Sequence, residues 1–133
     1  MTSVASSKFP KSRRLLKHAD FQRVYQSGRR QFTGNMTVFF LRRGNGAHAV
    51  GIGNMPRIGF TVGKVLGGSV ERNRIKRRMR EAVRQSAQAC DGAVDVVFNP
   101  RKSASNIPFA ELVNEVTRAL RLAAQRARTV EQK

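Results

Sequence analysis

A strongly basic, helix-favouring stretch from Ser69 to Arg84 constrains the fold of this chain more than any other segment. The Ser69 hydroxyl can cap the first turn, and Glu71 lies where the helix dipole favours an anion. No Gly or Pro interrupts the residues that follow. Helical periodicity then places an apolar stripe along one side, made of Ile75, Met79, Ala82, Val83 and Cys90. The segment is predicted to be a helix that packs against a core along this stripe.

The side of this helix next to the stripe is cationic. Seven basic side chains stand against two acidic ones between Val70 and Arg84, whereas solvated helix faces normally mix the two signs to limit repulsion. A solvated charged face is the alternative interpretation, but the excess of one sign favours an anionic partner. The residues on the cationic arc are Asn73, Lys76, Arg77, Arg80 and Arg84.

The composition extends this imbalance to the whole chain, which has 133 residues, a formal net charge of +18 and a hydrophobic fraction of 40%. That size suits one domain with its own core. The charge favours a polyanionic partner, with nucleic acid first and a membrane surface second. No apolar run approaches the roughly 20 residues of a spanning helix, and residues 1–12 lack the apolar region of a signal peptide. We therefore expect a cytoplasmic protein without membrane association.

The pattern of apolar residues predicts elements in the order α-β-β-β-α-β-α. We expect an α+β two-layer sandwich in which helices pack on a central, mostly antiparallel sheet. Residues 13–127 would form this single domain, between a flexible basic arm at 1–12 and a flexible tail at 128–133. The predicted elements are a helix over 15–26, strands over 31–33, 36–43 and 57–64, the basic helix, a strand over 93–98 in the middle of the sheet, and a helix from 108.

The strand over 57–64 has one face of apolar side chains and one that is nearly bare. Ile58, Phe60 and Val62 point one way, while Arg57, Gly59, Thr61 and Gly63 point the other. Repeated small residues indicate close approach of a backbone or a ligand, or a helix packed over a flat face, and the pattern does not separate these alternatives.

Three aromatic side chains are candidates for a binding groove. Phe21 and Tyr25 lie one helical turn apart, and Phe39 is on the strand over 36–43. Together with basic residues and a bare strand face they could stack the bases of a single-stranded nucleic acid. The alternative is that all three belong to the core.

The titratable residues do not form a recognisable catalytic set. A metal-dependent nuclease would need several converging carboxylates, and we expect those of this chain to be scattered over loops, helix ends and solvent faces. His18 and His48 are both expected to be exposed, and the single cysteine, Cys90, excludes an internal disulfide. The residues therefore predict a binding protein without catalytic residues of its own. The eight carboxylates are Asp20, Glu71, Glu81, Asp91, Asp95, Glu111, Glu115 and Glu131.

Residues 57–80 resemble the signature of the protein subunit of bacterial ribonuclease P. The resemblance lies in the strand Arg-Ile-Gly-Phe-Thr-Val-Gly-Lys, in Gly67, and in the Arg72-Asn73-Arg74 core of the basic helix, which matches the RNR motif of that family. The helix over 15–26 looks like its N-terminal helix, so the similarity covers roughly residues 9–125. The chain differs in having Lys64-Val65 where two lysines are common, and in a long loop over 44–56.

This resemblance implies a ribonucleoprotein and an unusual fold. In the family, a catalytic RNA with Mg²⁺ removes the 5′ leader of precursor tRNA, while the protein holds the leader and stabilises the RNA; no further protein partner is required. The fold includes a left-handed β-α-β crossover. By motif position, the surface for the catalytic RNA would be Arg72, Asn73, Arg74, Lys76, Arg77 and Arg80. The leader cleft would be Phe21, Tyr25, Phe39, Arg57, Gly59, Thr61, Gly63 and Lys64.

Two other classes of protein would have a similar positive charge. A structural ribosomal or RNA-chaperone protein would bind RNA without a role in cleavage. An autonomous nuclease would cleave without an RNA subunit, and the missing carboxylate cluster makes it the weaker of the two.

Overall fold

The computed structural model describes residues 14, 15, 17–43, 56–87 and 92–131, with side chains as far as Arg126. Its element order confirms the predicted α-β-β-β-α-β-α sequence, with two short 3₁₀ turns added at Lys64–Leu66 and Lys102–Ser105. The elements are α1 (His18–Ser27), β1 (Arg29–Phe32), β2 (Met36–Arg42), β3 (Arg57–Phe60), α2 (Ser69–Ser86), β4 (Val94–Pro100) and α3 (Phe109–Glu131).

The four strands form one sheet in the order β1-β2-β4-β3. The β1–β2 and β2–β4 pairs are antiparallel, and β3 is parallel to β4. The sheet is thus mostly antiparallel, and the apolar strand β4 is central, as predicted. A parallel neighbour requires a crossover connection, and here the chain between β3 and β4 contains α2. The family resemblance implies that this crossover is left-handed, and its handedness remains a prediction.

The main core lies between one face of the sheet and helices α2 and α3. Alternation along β2 turns Met36, Val38 and Phe40 toward this core, and β3 contributes Ile58. The apolar stripe of α2 meets them as predicted. Its buried members are Ile75, Met79, Ala82 and Val83, whereas Cys90 lies outside the described residues.

Helix α1 covers part of the other face of the sheet. Leu15, Val24 and Val97 are buried there in a second, smaller cluster. The helix begins three residues later than predicted because the chain before it is paired with the sheet. Arg14 forms a parallel bridge with Ile58, and the Leu15 amide donates to the Ile58 carbonyl at 2.9 Å. Residues 14 and 15 therefore border the outer edge of β3.

Several predicted boundaries and the predicted cap are corrected. Ser69 is the first helical residue of α2 rather than its cap. Gly68 precedes it, and no side chain of the described residues caps this end. The strand predicted over 57–64 ends at Phe60. Conversely, β4 continues through Asn99 to Pro100, because these residues pair with Thr37 and Met36 of β2. Helix α3 extends to Glu131.

The expectation that the carboxylates lie on loops, helix ends and solvent faces is wrong for Asp95. Asp20 does lie at a helix end, in the first turn of α1, but it is buried. Asp95 is 1% exposed on the central strand. Arg57 donates to it from Nε and Nη2 at 3.0 and 2.8 Å, and Arg43 donates from Nη1 at 3.0 Å. Asp20 accepts from Arg57 and from Arg23. A buried charge is tolerated only when it is paired and hydrogen-bonded, and these guanidinium groups provide both.

Glu115 of α3 is the third buried carboxylate, and it holds the turn between β1 and β2. It accepts hydrogen bonds from the Asn35 amide nitrogen at 2.8 Å, from the Asn35 side chain at 2.7 Å, and from the Thr33 hydroxyl. The turn is thereby tied to the helix on the main-core side of the sheet.

Candidate nucleic-acid interface

Three of the predicted cleft residues meet where α1 crosses the sheet. The rings of Tyr25 and Phe39 pack edge to face with centroids 4.9 Å apart. The Tyr25 hydroxyl is hydrogen-bonded to the Thr61 hydroxyl at 2.9 Å and donates to Oδ1 of Asn99 at 3.0 Å. We call Phe21, Tyr25, Phe39, Thr61 and Asn99 the aromatic cleft. Its three rings are all half-buried, so each packs against the second cluster and still presents part of its surface to solvent.

Of the small residues on the predicted bare face, Gly59 lies in β3 and is covered, whereas Thr61 and Gly63 lie beyond the end of β3 and are exposed. A Cβ atom on Gly59 would lie 2.8 Å from Cζ of Phe21 and 2.9 Å from Cβ of Leu15, closer than real contacts allow. Helix packing therefore explains Gly59. By contrast, no described atom lies within 4 Å of a Cβ built on Gly63, and Thr61 and Lys64 are exposed.

Arg57 is placed differently from the rest of the predicted cleft. It is buried and donates to both Asp95 and Asp20. The hydrogen bond to Asp95 raises the pKa of its guanidinium, against the opposing effect of burial. Its charge is thus used inside the protein, where it holds β3 against β4 and α1.

The exposed part of the α2 cationic arc is available to an external anion. Asn73, Arg77 and Arg80 are exposed and Lys76 is half-buried. None of these four side chains forms a hydrogen bond or ion pair with any other described residue. Because no carboxylate of the described ranges neutralises Lys76, Arg77 and Arg80, we call these three residues, with Asn73 beside them, the cationic face.

Other arginines of α2 bind backbone carbonyls of the protein. Arg72 Nε donates to Gly67 at 3.2 Å, and Arg74 Nε donates to Ser105 at 3.2 Å. Arg78, which the sequence did not single out, donates to Ala104 at 3.0 Å and to Ile107. Burial, followed by the nearby charge of Arg74, lowers the pKa of Arg78. Arg78 lies one turn beyond Arg74, and both side chains reach the 3₁₀ turn Lys102–Ser105. No sequence pattern indicated this contact between distant segments.

Arg84, the last member of the predicted arc, is paired within the helix. It donates to Glu81 three residues earlier, and Gln85 donates to the same carboxylate at 2.9 Å. These bonds lower the pKa of Glu81 from its ordinary 4.5 to about 2.

A cavity of about 370 Å³ lies between the cationic face and the aromatic cleft. Lys76 and Arg80 reach it from α2, and Phe21 reaches it from α1. The outer edge of β3 runs between them, so the two predicted surfaces meet around one strand. The lining residues are Arg14, Leu15, Phe21, Ile58, Gly59, Phe60, Lys76, Arg80 and Val83.

Neither a membrane span nor a metal centre is evident in the part of the chain that the structure describes. No helix there is long and apolar enough to cross a membrane. No group of three His, Cys, Asp or Glu residues in the same ranges is placed to hold a metal ion. Asp20, Asp95 and Glu115 are already hydrogen-bonded by protein groups. His18 is exposed at the start of α1, and His48 lies outside the described residues.

The fold and the site define a basic α+β protein in which a cationic helix and an aromatic cleft flank one edge of a four-stranded sheet. Comparison with known proteins identifies the family. The family model for ribonuclease P matches residues 9–124. The chain therefore belongs to the ribonuclease P protein family.

Individual relatives agree with this assignment. The ribonuclease P protein component of Brucella melitensis is 35% identical over 80% of this chain and 77% of that protein. That of Gluconacetobacter diazotrophicus is 37% identical over 87% of this chain and 95% of its own length. The structure of the Staphylococcus aureus RNase P protein superposes with a TM-score of 0.66 and 28% identity, over 84% of this chain and 94% of that one. The Thermotoga maritima protein, at 24% identity, shares the fold with a TM-score of 0.67, over 81% of this chain and 94% of that one.

Proposed function

We propose that this chain is the protein component of a ribonucleoprotein ribonuclease P in the cytoplasm. It binds the catalytic RNA through the cationic face of α2 and the 5′ leader of precursor tRNA in the aromatic cleft. The RNA, with the Mg²⁺ that it holds, cleaves the leader from the tRNA. The chain itself contributes binding and orientation and no catalytic residue.

One observation carries this proposal: Lys76 and Arg80 of the cationic face and Phe21 of the aromatic cleft line the same cavity at the edge of β3. Duplex or folded RNA is held mainly by cationic side chains on its phosphates. Single-stranded RNA is held by bases stacked on aromatic rings, with cationic side chains along its backbone. A structured RNA on α2 and a single strand beside α1 would therefore be neighbours, as cleavage of a leader requires.

The contacts within the protein support a narrower proposal for the residues that touch RNA. Lys76, Arg77 and Arg80 have no competing partner in the described ranges and are assigned to the RNA phosphates. Arg72 and Arg74 each use Nε for a backbone carbonyl and keep their other guanidinium nitrogens for RNA. Arg57 positions β3 from beneath the cleft.

The test compares precursor tRNA with mature tRNA, which lacks the leader. In a holoenzyme assembled with the cognate catalytic RNA, Tyr25→Ala and Phe39→Ala should each weaken precursor binding by about 1–3 kcal/mol, the range for one stacked base. Affinity for mature tRNA should stay the same. Tyr25→Phe is the matched control, because it keeps the ring and removes only the bonds to Thr61 and Asn99.

Each of the following outcomes would contradict part of the proposal. Equal loss for both tRNAs, with a lowered melting temperature of the free protein, would make the rings core residues only. Cleavage by the protein alone would identify an autonomous nuclease. RNA binding with no effect on cleavage by the catalytic RNA would identify a structural RNA-binding protein.

A further inference from the structure

The strongly exposed ring of Phe32 lies at the edge of the sheet farthest from β3. Phe32 ends β1 and is 62% exposed. Single exposed apolar side chains are common and need no explanation by themselves. Here, however, two cations lie against the ring: the guanidinium carbons of Arg30 and Arg101 are 5.2 and 5.9 Å from its centroid. This is an arrangement of one aromatic ring and two positive charges that neither the core nor the aromatic cleft uses.

Strand register places Phe32 on the same face of the sheet as the aromatic cleft. Phe32 is directly opposite Thr37 on β2, and Thr37 is opposite Asn99 on β4. Side chains opposite each other in neighbouring strands share a face. Asn99 in turn accepts the hydrogen bond of Tyr25, and Tyr25 also bonds Thr61 beyond the end of β3. One row of side chains, Thr61, Asn99, Thr37 and Phe32, therefore crosses the whole sheet.

This row is suited to a single strand of RNA. Its middle members offer hydroxyl and amide groups, and all of its members are at least partly accessible. It has aromatic rings at both ends, Tyr25 beside Thr61 and Phe32 at the edge of β1. Three strand spacings separate the ends, which is about 14 Å. That distance exceeds the reach of a single base and requires a strand of more than one nucleotide.

The charges at the β1 edge favour an anionic occupant. Arg29 and Arg30 are exposed on β1, and Arg101 is exposed after β4. Arg101 is also held in place, since Nη1 donates to the carbonyls of Thr33 and Gly34 at 3.2 and 3.3 Å. A carboxylate, Glu115, also contacts this hairpin, but it is 4% exposed and bonded to Thr33 and Asn35.

We propose that Phe32, flanked by Arg30 and Arg101, is a second stacking site for the single-stranded leader, reached by nucleotides that continue from the aromatic cleft across the Asn99–Thr37 row. This inference rests on the proposed function, because it extends the same bound strand. The catalytic RNA is assigned to α2, which borders β3, and β1 is at the opposite edge of the sheet. The nucleotides that reach Phe32 are thus the ones farthest from the cleavage site.

The experiment uses the holoenzyme and precursor tRNAs whose leaders are shortened one nucleotide at a time from the 5′ end. Wild-type affinity should rise with leader length in two steps, one for each stacking site. Phe32→Ala should remove the step at longer leaders, with a loss of about fivefold or more, the lower end of the range for a base on an aromatic ring. Short-leader affinity should not change. Phe32→Tyr should retain the second step, and Phe32→Leu, which keeps apolar bulk without a ring, should lose it.

The possible failures are distinct. Unchanged affinity of Phe32→Ala for every leader would overturn the second site. An equal loss for all leaders and for mature tRNA would assign Phe32 to the catalytic RNA instead. Sedimentation could also show that the wild type is a dimer and that Phe32→Ala is a monomer. That result would mean that a second copy of the chain covers this edge. If the proposed function itself fails, Tyr25→Ala and Phe39→Ala will leave the ratio of precursor to mature tRNA affinity unchanged. Failure of the Phe32 site alone would not produce that result.

Discussion

Arg57 and Asp95 are directly opposite each other on the parallel strands β3 and β4, and two hydrogen bonds of 3.0 and 2.8 Å join their side chains. The pair lies at the start of β3, the strand around which the cavity, the aromatic cleft and the cationic face are arranged. Arg57 also reaches Asp20 of α1. One buried guanidinium thus fixes the strand and helix that position the proposed RNA-binding surfaces.

Removing the charge of Asp95 should destabilise the whole fold. Asp95→Asn leaves Arg57 and Arg43 buried without their main anion, and breaking one side of a buried ion pair typically costs about 3–5 kcal/mol. Urea denaturation should show this loss in the free energy of unfolding. Glu111→Gln, at an exposed position in the first turn of α3, is the control and should change stability little. An Asp95→Asn variant as stable as the wild type would mean that the pair contributes no net stabilisation.

The cationic face should contribute to RNA binding and not to stability. The triple variant Lys76→Ala, Arg77→Ala and Arg80→Ala should lower the slope of log K against log salt by about 0.7–0.9 for each phosphate that is no longer neutralised, while its melting curve stays cooperative. Arg78→Ala removes one charge from the same helix but breaks bonds to Ala104 and Ile107. It should lower the melting temperature and leave the salt slope nearly unchanged. The opposite pattern would mean that the two sides of α2 have been exchanged.

Gly59 should tolerate no side chain. Gly59→Ala places a methyl group against Phe21 and Leu15, so α1 must shift away from the sheet, and overpacking of this kind typically costs about 1–3 kcal/mol. The shift should also weaken precursor tRNA binding, because Phe21 belongs to the aromatic cleft. Gly63→Ala is the matched control, with open space around its Cβ. Equal stability of the two alanine variants would contradict the close packing of α1 on β3.

The Glu81 carboxylate should make a small, pH-dependent contribution to stability. Hydrogen bonds from Arg84, and then from Gln85, lower its folded-state pKa from 4.5 to about 2. A group with a lowered folded pKa stabilises the fold above its unfolded pKa, and this contribution is lost as the pH falls through the folded one. The melting-temperature difference between wild type and Glu81→Gln should thus be present at pH 7 and shrink between about pH 5 and pH 2. The pair is partly solvent-exposed, so added salt should also reduce the difference. A difference independent of pH would show that the ionised carboxylate is not responsible.

The sequence by itself determined the elements and their buried faces. The stripe of Ile75, Met79, Ala82 and Val83 and the alternation of Met36, Val38 and Phe40 both identify core residues correctly. This works because periodicity is local: a helix or strand buries one face, and the spacing of apolar residues records which face that is. The unbroken apolar character of β4 likewise identified the central strand.

Only the tertiary structure decided how side chains from different elements combine. The buried position of Asp95 among arginines, the anchoring of Arg78 on Ala104, and the placement of Phe32 in line with Thr37 and Asn99 all depend on contacts between distant parts of the chain. A charged residue in a strand has the same local pattern whether or not a partner from another element reaches it. Strand order and register determine which side chains meet, and these are set by the packing of the whole chain, because a shift of one residue would turn every side chain of a strand to the opposite face.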